Sequence, residues 1–339
     1  MRQVRLVEPE KLILEEVEIP DFNDKQVLIK VKRIGICGSD IHAYYDKHPY
    51  ISCPIVQGHE FSGEISSVGE KVQGLSEGDR VTVMPQLVCG ECYSCTHGNY
   101  HICDDLRVIG CQADGAAREF IPVDQQLVVK LPEGMSFDQG AMVEPVAVGV
   151  HAVKRLGDVQ GMNLMVLGAG PIGNLTAQSA KGLGANTVLI TDISDYRLEV
   201  AKNCGIDHPV NVSFENLDAK VGEHFGSDGA DAILECVGVE ETITVAIHLA
   251  RKGTDIVVVG VFGDKPSVDI GLVQDKELRL IGTLMYKAED YRTAIELIQS
   301  KKVDLDPLIS QHFAFEDYPR AFAFIEEHQD ETMKVLIDL

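Results

Sequence analysis

The feature that most constrains the fold is a glycine-rich turn between a strand pattern and a helix pattern. Residues 163–167 form a short apolar run, and the turn Gly-Ala-Gly-Pro-Ile-Gly follows at 168–173. A helical pattern then leads to a second apolar run that ends at Asp192, nineteen residues beyond Gly173. Glycine-rich turns alone are common, but a strand before, a helix after and an acid at this distance together predict a dinucleotide-binding βαβ unit.

The residues of this turn have distinct physical tasks. Gly168 permits the tight turn, Gly170 lets the backbone approach a pyrophosphate, and Gly173 lets the helix pack closely on the strand. The pyrophosphate would lie at the helix N-terminus, where free N–H groups and the helix dipole favour an anion. An acid at the end of the second strand would accept hydrogen bonds from the adenosine ribose and repel a 2′-phosphate, which favours NAD over NADP. The residues predicted to bind this cofactor are Gly168, Gly170, Pro171, Ile172, Gly173, Asp192 and Arg197, although an exposed position on the next helix is the alternative for Arg197.

Strands and helices alternate from about residue 150 to about residue 285. Further apolar strands are predicted at 188–191, 232–236, 255–259 and 278–281, with helices at 195–204 and 241–250. Such alternation predicts an α/β fold with a doubly wound parallel sheet. Before residue 150, short alternating strands and frequent Gly or Pro residues predict a β-rich domain.

The last part of the chain is predicted to be helical at 291–300 and 318–327 and to end in a strand at 334–337. We expect that strand to return to the β-rich domain and to make it discontinuous. The predicted division is a catalytic domain with two metal sites at 1–148, a coenzyme domain at 149–285, and a returning segment at 286–339.

Composition excludes several classes of function. The 339 residues suffice for two domains, and 45% apolar with 24% charged residues is typical of a soluble globular protein. The net charge of −23 would repel phosphate backbones, so nucleic acid is not an expected partner. There is neither an apolar run of membrane-spanning length nor a secretory signal at the start. We therefore expect a cytoplasmic protein without a membrane partner.

Four of the nine cysteines fall within fifteen positions. Four thiolates in one loop can close a tetrahedron around zinc, which is the arrangement of a structural site. The first three also match an iron–sulfur spacing, but the fourth comes too late for the bacterial ferredoxin pattern. The loop contains too little apolar surface to fold by itself, so we expect the metal to hold it. Its predicted ligands are Cys89, Cys92, Cys95 and Cys103.

A second set of ligand types is spread along the first half of the chain. Cys37 stands in Ile-Cys-Gly-Ser-Asp, and His59 and Glu60 follow Gly58. Thiolate, imidazole and carboxylate are ligands that zinc accepts, and a catalytic zinc keeps one position open. Glu144, in Val-Glu-Pro, could close the same site. The sequence leaves open whether Glu60 or Glu144 is the third ligand.

Taken together and in this order, the motifs resemble those of the zinc-dependent medium-chain dehydrogenases, and the resemblance covers essentially the whole chain. It is closest to the polyol branch, which includes sorbitol-type and sugar-acid dehydrogenases. It implies a GroES-like catalytic domain, a Rossmann coenzyme domain, one catalytic and one structural zinc per chain, and a homodimer or homotetramer. The implied reaction moves a hydride to NAD from the carbon that bears a secondary hydroxyl in a polyol or sugar acid, and the hydroxyl loses its proton.

The resemblance also assigns roles to single residues. Ser39 and His42 match a proton relay, although a surface histidine is an equal alternative for His42. Tyr286 matches a substrate-contacting tyrosine, but the preceding Met285 replaces the arginine of sorbitol-type enzymes, which argues against sorbitol itself. Lys287 and Arg118 are candidates for holding a carboxylate or phosphate of the substrate, with exposure to solvent as their alternative.

The sequence also allows other functions. L-threonine 3-dehydrogenase and 2,3-butanediol or another secondary alcohol dehydrogenase are the alternatives within the family. A coenzyme-binding protein without catalysis would not need the zinc ligands, which are all present. A metal or redox sensor built on the four-cysteine loop would leave the coenzyme motif unexplained.

Overall fold

The structure, a computed structural model that describes Met1–Leu339, divides the chain into two units. Unit 1 comprises Met1–Glu144 and Ile309–Leu339, and unit 2 comprises Pro145–Leu308. The β-rich domain is therefore discontinuous, as the sequence predicted. Residues 286–308, which the sequence assigned to the returning segment, belong to unit 2, because their helix packs on the helix after the glycine-rich turn.

The strands in chain order are β1 (Arg2–Glu8), β2 (Lys11–Glu16), β3 (Gln26–Gly35), β4 (Glu60–Val68), β5 (Arg80–Val83), β6 (Gln86–Leu87), β7 (Arg107–Val108), β8 (Phe120–Asp124), β9 (Val128–Lys130), β10 (Asn163–Leu167), β11 (Thr187–Asp192), β12 (His208–Asn211), β13 (Ala232–Glu235), β14 (Asp255–Val258), β15 (Arg279–Gly282), β16 (Ile309–Ala314) and β17 (Lys334–Asp338). The helices are α1 (Gly38–Tyr44), α2 (Tyr93–Thr96), α3 (Phe137–Lys154), α4 (Pro171–Gly182), α5 (Asp195–Asn203), α6 (Leu217–Phe225), α7 (Glu240–Leu249), α8 (Ile270–Asp275), α9 (Ala288–Gln299) and α10 (Tyr318–Glu327).

Unit 1 is built on a seven-stranded sheet with β3 near its centre. The strand order is β16-β17-β3-β4-β5-β9, and β8 also pairs with β3. Val27, Ile29 and Val31 of β3 are buried in the core, as their alternation in the sequence predicted. β17 pairs antiparallel with the end of β3. The C-terminal strand therefore lies beside the segment that leads into Cys37.

Unit 2 contains a six-stranded sheet of order β12-β11-β10-β13-β14-β15, and all neighbouring pairs are parallel. Counted from β10, this is the 3-2-1-4-5-6 order of a doubly wound dinucleotide-binding fold, so the predicted fold class is confirmed. Alternate residues of β10 enter two different apolar cores, which explains its uninterrupted apolar run. The strand order reverses between β10 and β13, and such sheets bind ligands outside the carboxyl ends of the strands at this point.

Several elements were not predicted from the sequence, and β12 and α3 show why. β12 has four residues and reads His-Pro-Val-Asn, which contains no apolar run. α3 extends into the region that the sequence suggested to be strand-rich. Most of its apolar residues are buried, so no amphipathic period marks it, and Pro145 stands inside it. None of the helices combines the length and the apolar character that a membrane crossing requires.

Candidate active site

Three metal-ligating side chains meet where β3 and β4 pair. Gly35 at the end of β3 is the register partner of Glu60, and Cys37 lies two residues further on as the N-cap of α1. This pairing brings Cys37, His59 and Glu60 together, with their ligand atoms within 4.8 Å of one another. A thiolate, an imidazole and a carboxylate at this separation fit a zinc ion that keeps a further position for a substrate.

A neighbouring loop fixes the backbone in front of His59. Gly58 has a φ of +95°, a conformation that residues with a side chain rarely adopt. The Gly58 carbonyl accepts a hydrogen bond from the Ala116 N–H at 2.8 Å, and the Gln57 carbonyl accepts one from the Ala117 N–H at 2.9 Å. These two bonds hold the turn on which His59 stands.

His59 is surrounded by groups that orient its ring. Its Nδ1 lies 3.8 Å from Asp40 Oδ1 and 3.9 Å from Cys111 Sγ. Burial lowers the pKa of His59, but the charges of Asp40 and Cys37 outweigh that effect and raise it well above the ordinary value. Asp40 is fully buried; its Oδ2 accepts from the Cys37 N–H at 3.0 Å, and its Oδ1 makes no hydrogen bond. A metal on Nε2 would let the ring donate its Nδ1–H toward this oxygen, so the residues present fit zinc.

The sequence reasoning missed a buried lysine at this site. Lys334, at the start of β17, donates from Nζ to both Glu60 oxygens at 2.8 Å and to the Ile36 carbonyl at 3.2 Å. Burial lowers the pKa of Lys334, but Glu60 and Cys37 raise it above its ordinary value, which keeps the ammonium charged. The available signal was a lysine directly before three apolar residues of the last strand, 274 residues from its partner.

The remaining predicted residues of this site lie on α1 and α3. Glu144 is buried and its charge acts on Lys334, but it stands outside the group formed by Cys37, His59 and Glu60. Ser39 is half-buried and His42 is exposed, three residues apart on α1. Residues at this spacing share one face of a helix. Ser39 lies near Cys37 at the start of α1, and His42 lies about one turn further on and is exposed to solvent.

The four-cysteine loop forms a second, closed set of ligands. The four Sγ atoms lie within 4.8 Å of one another, and individual pairs are 3.5 to 4.0 Å apart. A zinc with sulfur ligands at about 2.3 Å places them about 3.8 Å apart, so the observed spacing fits the metal. None of the cysteines forms a disulfide. Backbone N–H groups of Asp104 and Cys95 lower the pKa of Cys92 to about 6, which favours the thiolate.

The glycine-rich turn of unit 2 has the geometry that its residues predict. Gly168 has a φ of +97°, and a Cβ on Gly173 would collide with the Gly168 carbonyl. Gly170 is the N-cap of α4 and has open space at its Cβ position, while Pro171 occupies the first turn. Ile172 is half-buried beside them. The N-terminus of α4 is therefore open to an anion.

Asp192 ends β11 and holds the turn in place. Its Oδ2 accepts from the Ala169 N–H at 2.8 Å, and its Oδ1 accepts from the Ile193 and Ser194 N–H groups at 2.8 and 3.0 Å. A carboxylate has about four acceptor positions, so one on Oδ2 remains. Arg197 Nη1, on α5, lies 4.0 Å from this oxygen.

The predicted substrate residues of unit 2 precede α9. Tyr286 is fully buried, and Met285 before it has a φ of +50°, an unusual value for a side-chain-bearing residue. Lys287 is half-buried and is the N-cap of α9. Its N–H donates to buried Asp290 at 2.9 Å, and Asp290 also accepts from His151 at 2.7 Å. This network fixes the start of the helix.

Arg118, the predicted substrate residue of unit 1, is almost completely buried. Its Nε donates to the Gly115 carbonyl at 2.8 Å, and its Nη2 lies 3.5 Å from Asp114 Oδ2. Burial lowers the pKa of Arg118. The guanidinium therefore stabilises its own loop, and the alternative that Arg118 is exposed to solvent is wrong.

Comparisons with known proteins identify the family of the chain. Family models for the alcohol dehydrogenase GroES-like domain and for zinc-binding dehydrogenases match residues 23–133 and 171–300. Sorbitol dehydrogenase of Bacillus subtilis is 31% identical over 96% of this chain and 93% of its own. 2-Dehydro-3-deoxy-L-galactonate 5-dehydrogenase of Pseudoalteromonas atlantica is 37% identical over 92% of this chain and 91% of its own. The structure of galactitol-1-phosphate dehydrogenase from Escherichia coli matches with a TM-score of 0.93 and 31% identity over 100% of both chains. The chain therefore belongs to the zinc-dependent medium-chain dehydrogenase family, in its polyol and sugar-acid branch.

Proposed function

We propose that this enzyme oxidises a secondary hydroxyl of a polyol or sugar acid and transfers the hydride to NAD. The observation that carries the proposal is the convergence of Cys37, His59 and Glu60 within 4.8 Å, in a chain that also has the dinucleotide-binding sheet. These residues would hold a zinc ion, which supplies a Lewis acid that makes a substrate hydroxyl more acidic. The four-cysteine loop would hold a second, structural zinc.

The protein residues orient the site and remove the proton. Asp40 orients His59, and Lys334 fixes Glu60 from the side of the core. Ser39 would accept the hydroxyl proton and His42 would pass it to water, since the first is half-buried and the second is exposed on the same face of α1. Glu144 stays a candidate for an alternative ligand or for holding a water molecule.

The cofactor is proposed to be NAD in preference to NADP. The remaining acceptor position of Asp192 would take a ribose hydroxyl, whereas a 2′-phosphate at the same place would meet a carboxylate. The N-terminus of α4, with Gly170, Pro171 and Ile172, would take the pyrophosphate.

The substrate is proposed to carry a negative charge on its far end. Lys287 and Arg118 are the candidates to hold it, and the Arg118 guanidinium donates to the Gly115 carbonyl of its own loop. The test is a screen of NAD reduction with polyols, aldonates, polyol phosphates, threonine and 2,3-butanediol, in the wild type and in Lys287→Met. We expect turnover of an aldonate or polyol phosphate with a KM that rises in the variant. Turnover confined to simple diols or to threonine would contradict the proposal.

We also propose a cytoplasmic homodimer or homotetramer. The absence of a disulfide among the nine cysteines is typical of a reducing compartment. β15 is an edge of its sheet, and Leu280 and Leu284 are 39% and 53% exposed there. An edge strand with exposed apolar residues favours pairing with a second copy.

A further inference from the structure

The buried ion pair between Lys334 and Glu60 has a consequence for the metal. Both Glu60 oxygens accept from the same ammonium at 2.8 Å, and both side chains are at most 3% exposed. The same ammonium reaches the Ile36 carbonyl, next to Cys37. Lys334 therefore connects the two segments that carry the three proposed ligands.

A second cation on Glu60 would share this carboxylate with Lys334, because each Glu60 oxygen already accepts a hydrogen bond from the ammonium. Glu60 can approach a metal only by sharing an oxygen with Lys334 or by giving up one of the two hydrogen bonds. The ammonium and a divalent ion also repel each other in a buried site, where charges are poorly screened. Metal and lysine thus compete for one carboxylate.

We propose that Lys334 is a positioning residue that makes Glu60 a weak and exchangeable metal ligand. The inference rests on the proposed function, because it requires a metal at Cys37 and His59. By keeping Glu60 hydrogen-bonded and weakening its bond to the metal, Lys334 keeps a coordination position available for a substrate or a water molecule. The metal is therefore bound less tightly than the three ligands alone would allow.

The test compares zinc retention and turnover in full-length variants. In Lys334→Met we expect the fast-exchanging zinc to be lost to a chelator about tenfold more slowly, the size of effect that outer-shell changes produce, and kcat to fall. Cobalt substituted at this site should show a changed absorption spectrum. Lys334→Arg keeps the charge and should retain wild-type zinc loss, and Lys30→Met, an exposed lysine on β3, is the matched control.

A double-mutant cycle shows whether Lys334 acts through Glu60. If it does, Lys334→Met should have no further effect on zinc loss in a Glu60→Gln background. Faster or unchanged zinc loss in Lys334→Met, or an effect that adds to that of Glu60→Gln, would overturn the inference. If Lys334→Met does not fold, Lys334→Gln takes its place with the same expected outcomes. A wild type without zinc at Cys37 and His59 would instead contradict the proposed function.

Discussion

At the scale of single residues, the site depends on carboxylates that sequence patterns do not distinguish. Asp40 accepts one backbone hydrogen bond, Glu60 accepts two from a buried ammonium, and Asp192 accepts three from backbone N–H groups. Cys37 and His59 could be predicted as ligands because thiolate and imidazole are groups that zinc commonly binds. The roles of Asp40 and Lys334 were not, since they depend on which strands pair.

Asp192 gives a prediction about cofactor choice. Asp192→Asn keeps one oxygen for the N–H groups of the turn, loses the hydrogen bonds of the other oxygen, and removes the charge that repels a 2′-phosphate. We expect the NAD preference over NADP to fall by at least tenfold, through a higher KM for NAD and a lower KM for NADP, a change of about 1.4 kcal/mol. Steady-state kinetics with both cofactors measure it. Glu199→Gln, an exposed acid on α5, should leave the ratio unchanged, and an unchanged ratio in Asp192→Asn would refute the assignment.

At the scale of elements, the start of α9 depends on a buried charge. Burial opposes ionisation of Asp290, but hydrogen bonds from His151, the Lys287 N–H and Lys154 outweigh it and lower the pKa of Asp290 to about 2. Because the pKa is lower in the folded state, the stabilisation is complete above the ordinary value near 4. It is lost as pH falls from about 4 through about 2.

The corresponding variant is Asp290→Asn. Near neutral pH we expect its free energy of unfolding to be lower than that of the wild type by on the order of 2 kcal/mol. The difference should shrink in urea unfolding experiments carried out from pH 5 down to pH 3. Glu289→Gln, an exposed neighbour in the same turn, is the control. A difference that stays constant over this pH range would show that the charge of Asp290 does not stabilise the helix.

The elements that the sequence predicted well are those with local signals. β10 begins and ends where its apolar run does, and α4 begins at Pro171 within the glycine-rich turn. β12 is held in the sheet by pairing with β11, and no local sequence pattern indicates this pairing. α3 lacks a polar face, so its helical period is invisible in the sequence.

At the scale of the whole molecule, β15 provides a prediction about assembly. Leu280→Lys places a charge on the exposed edge of this strand, and edge lysines oppose strand pairing. We expect the mass in solution, measured by light scattering, to fall to that of a smaller assembly or a monomer. Ile13→Lys, on the exposed side of β2, should leave it unchanged. A wild type that is already monomeric would contradict the proposal.

The domain organisation was predictable in outline because its motifs are local and ordered. The return of β17 to unit 1 followed from a short apolar strand at the end of the chain. The boundary was predicted after residue 148 and lies after Glu144, inside α3 rather than in a linker. Residues 286–308 were assigned to the returning segment because no local pattern indicates that α9 packs on α4. That packing places them in unit 2.

The central claim is that the zinc at Cys37, His59 and Glu60 is catalytic, whereas the zinc at the four-cysteine loop is structural. The most direct test measures zinc content by elemental analysis together with turnover and NADH binding in the wild type, His59→Ala and Cys103→Ser. We predict two zinc ions per wild-type chain. His59→Ala should be folded, contain one zinc and bind NADH without turnover, whereas Cys103→Ser should mainly lose thermal stability. A His59→Ala protein that lacks this zinc and still turns over substrate, or a wild type with a single metal, would contradict the claim.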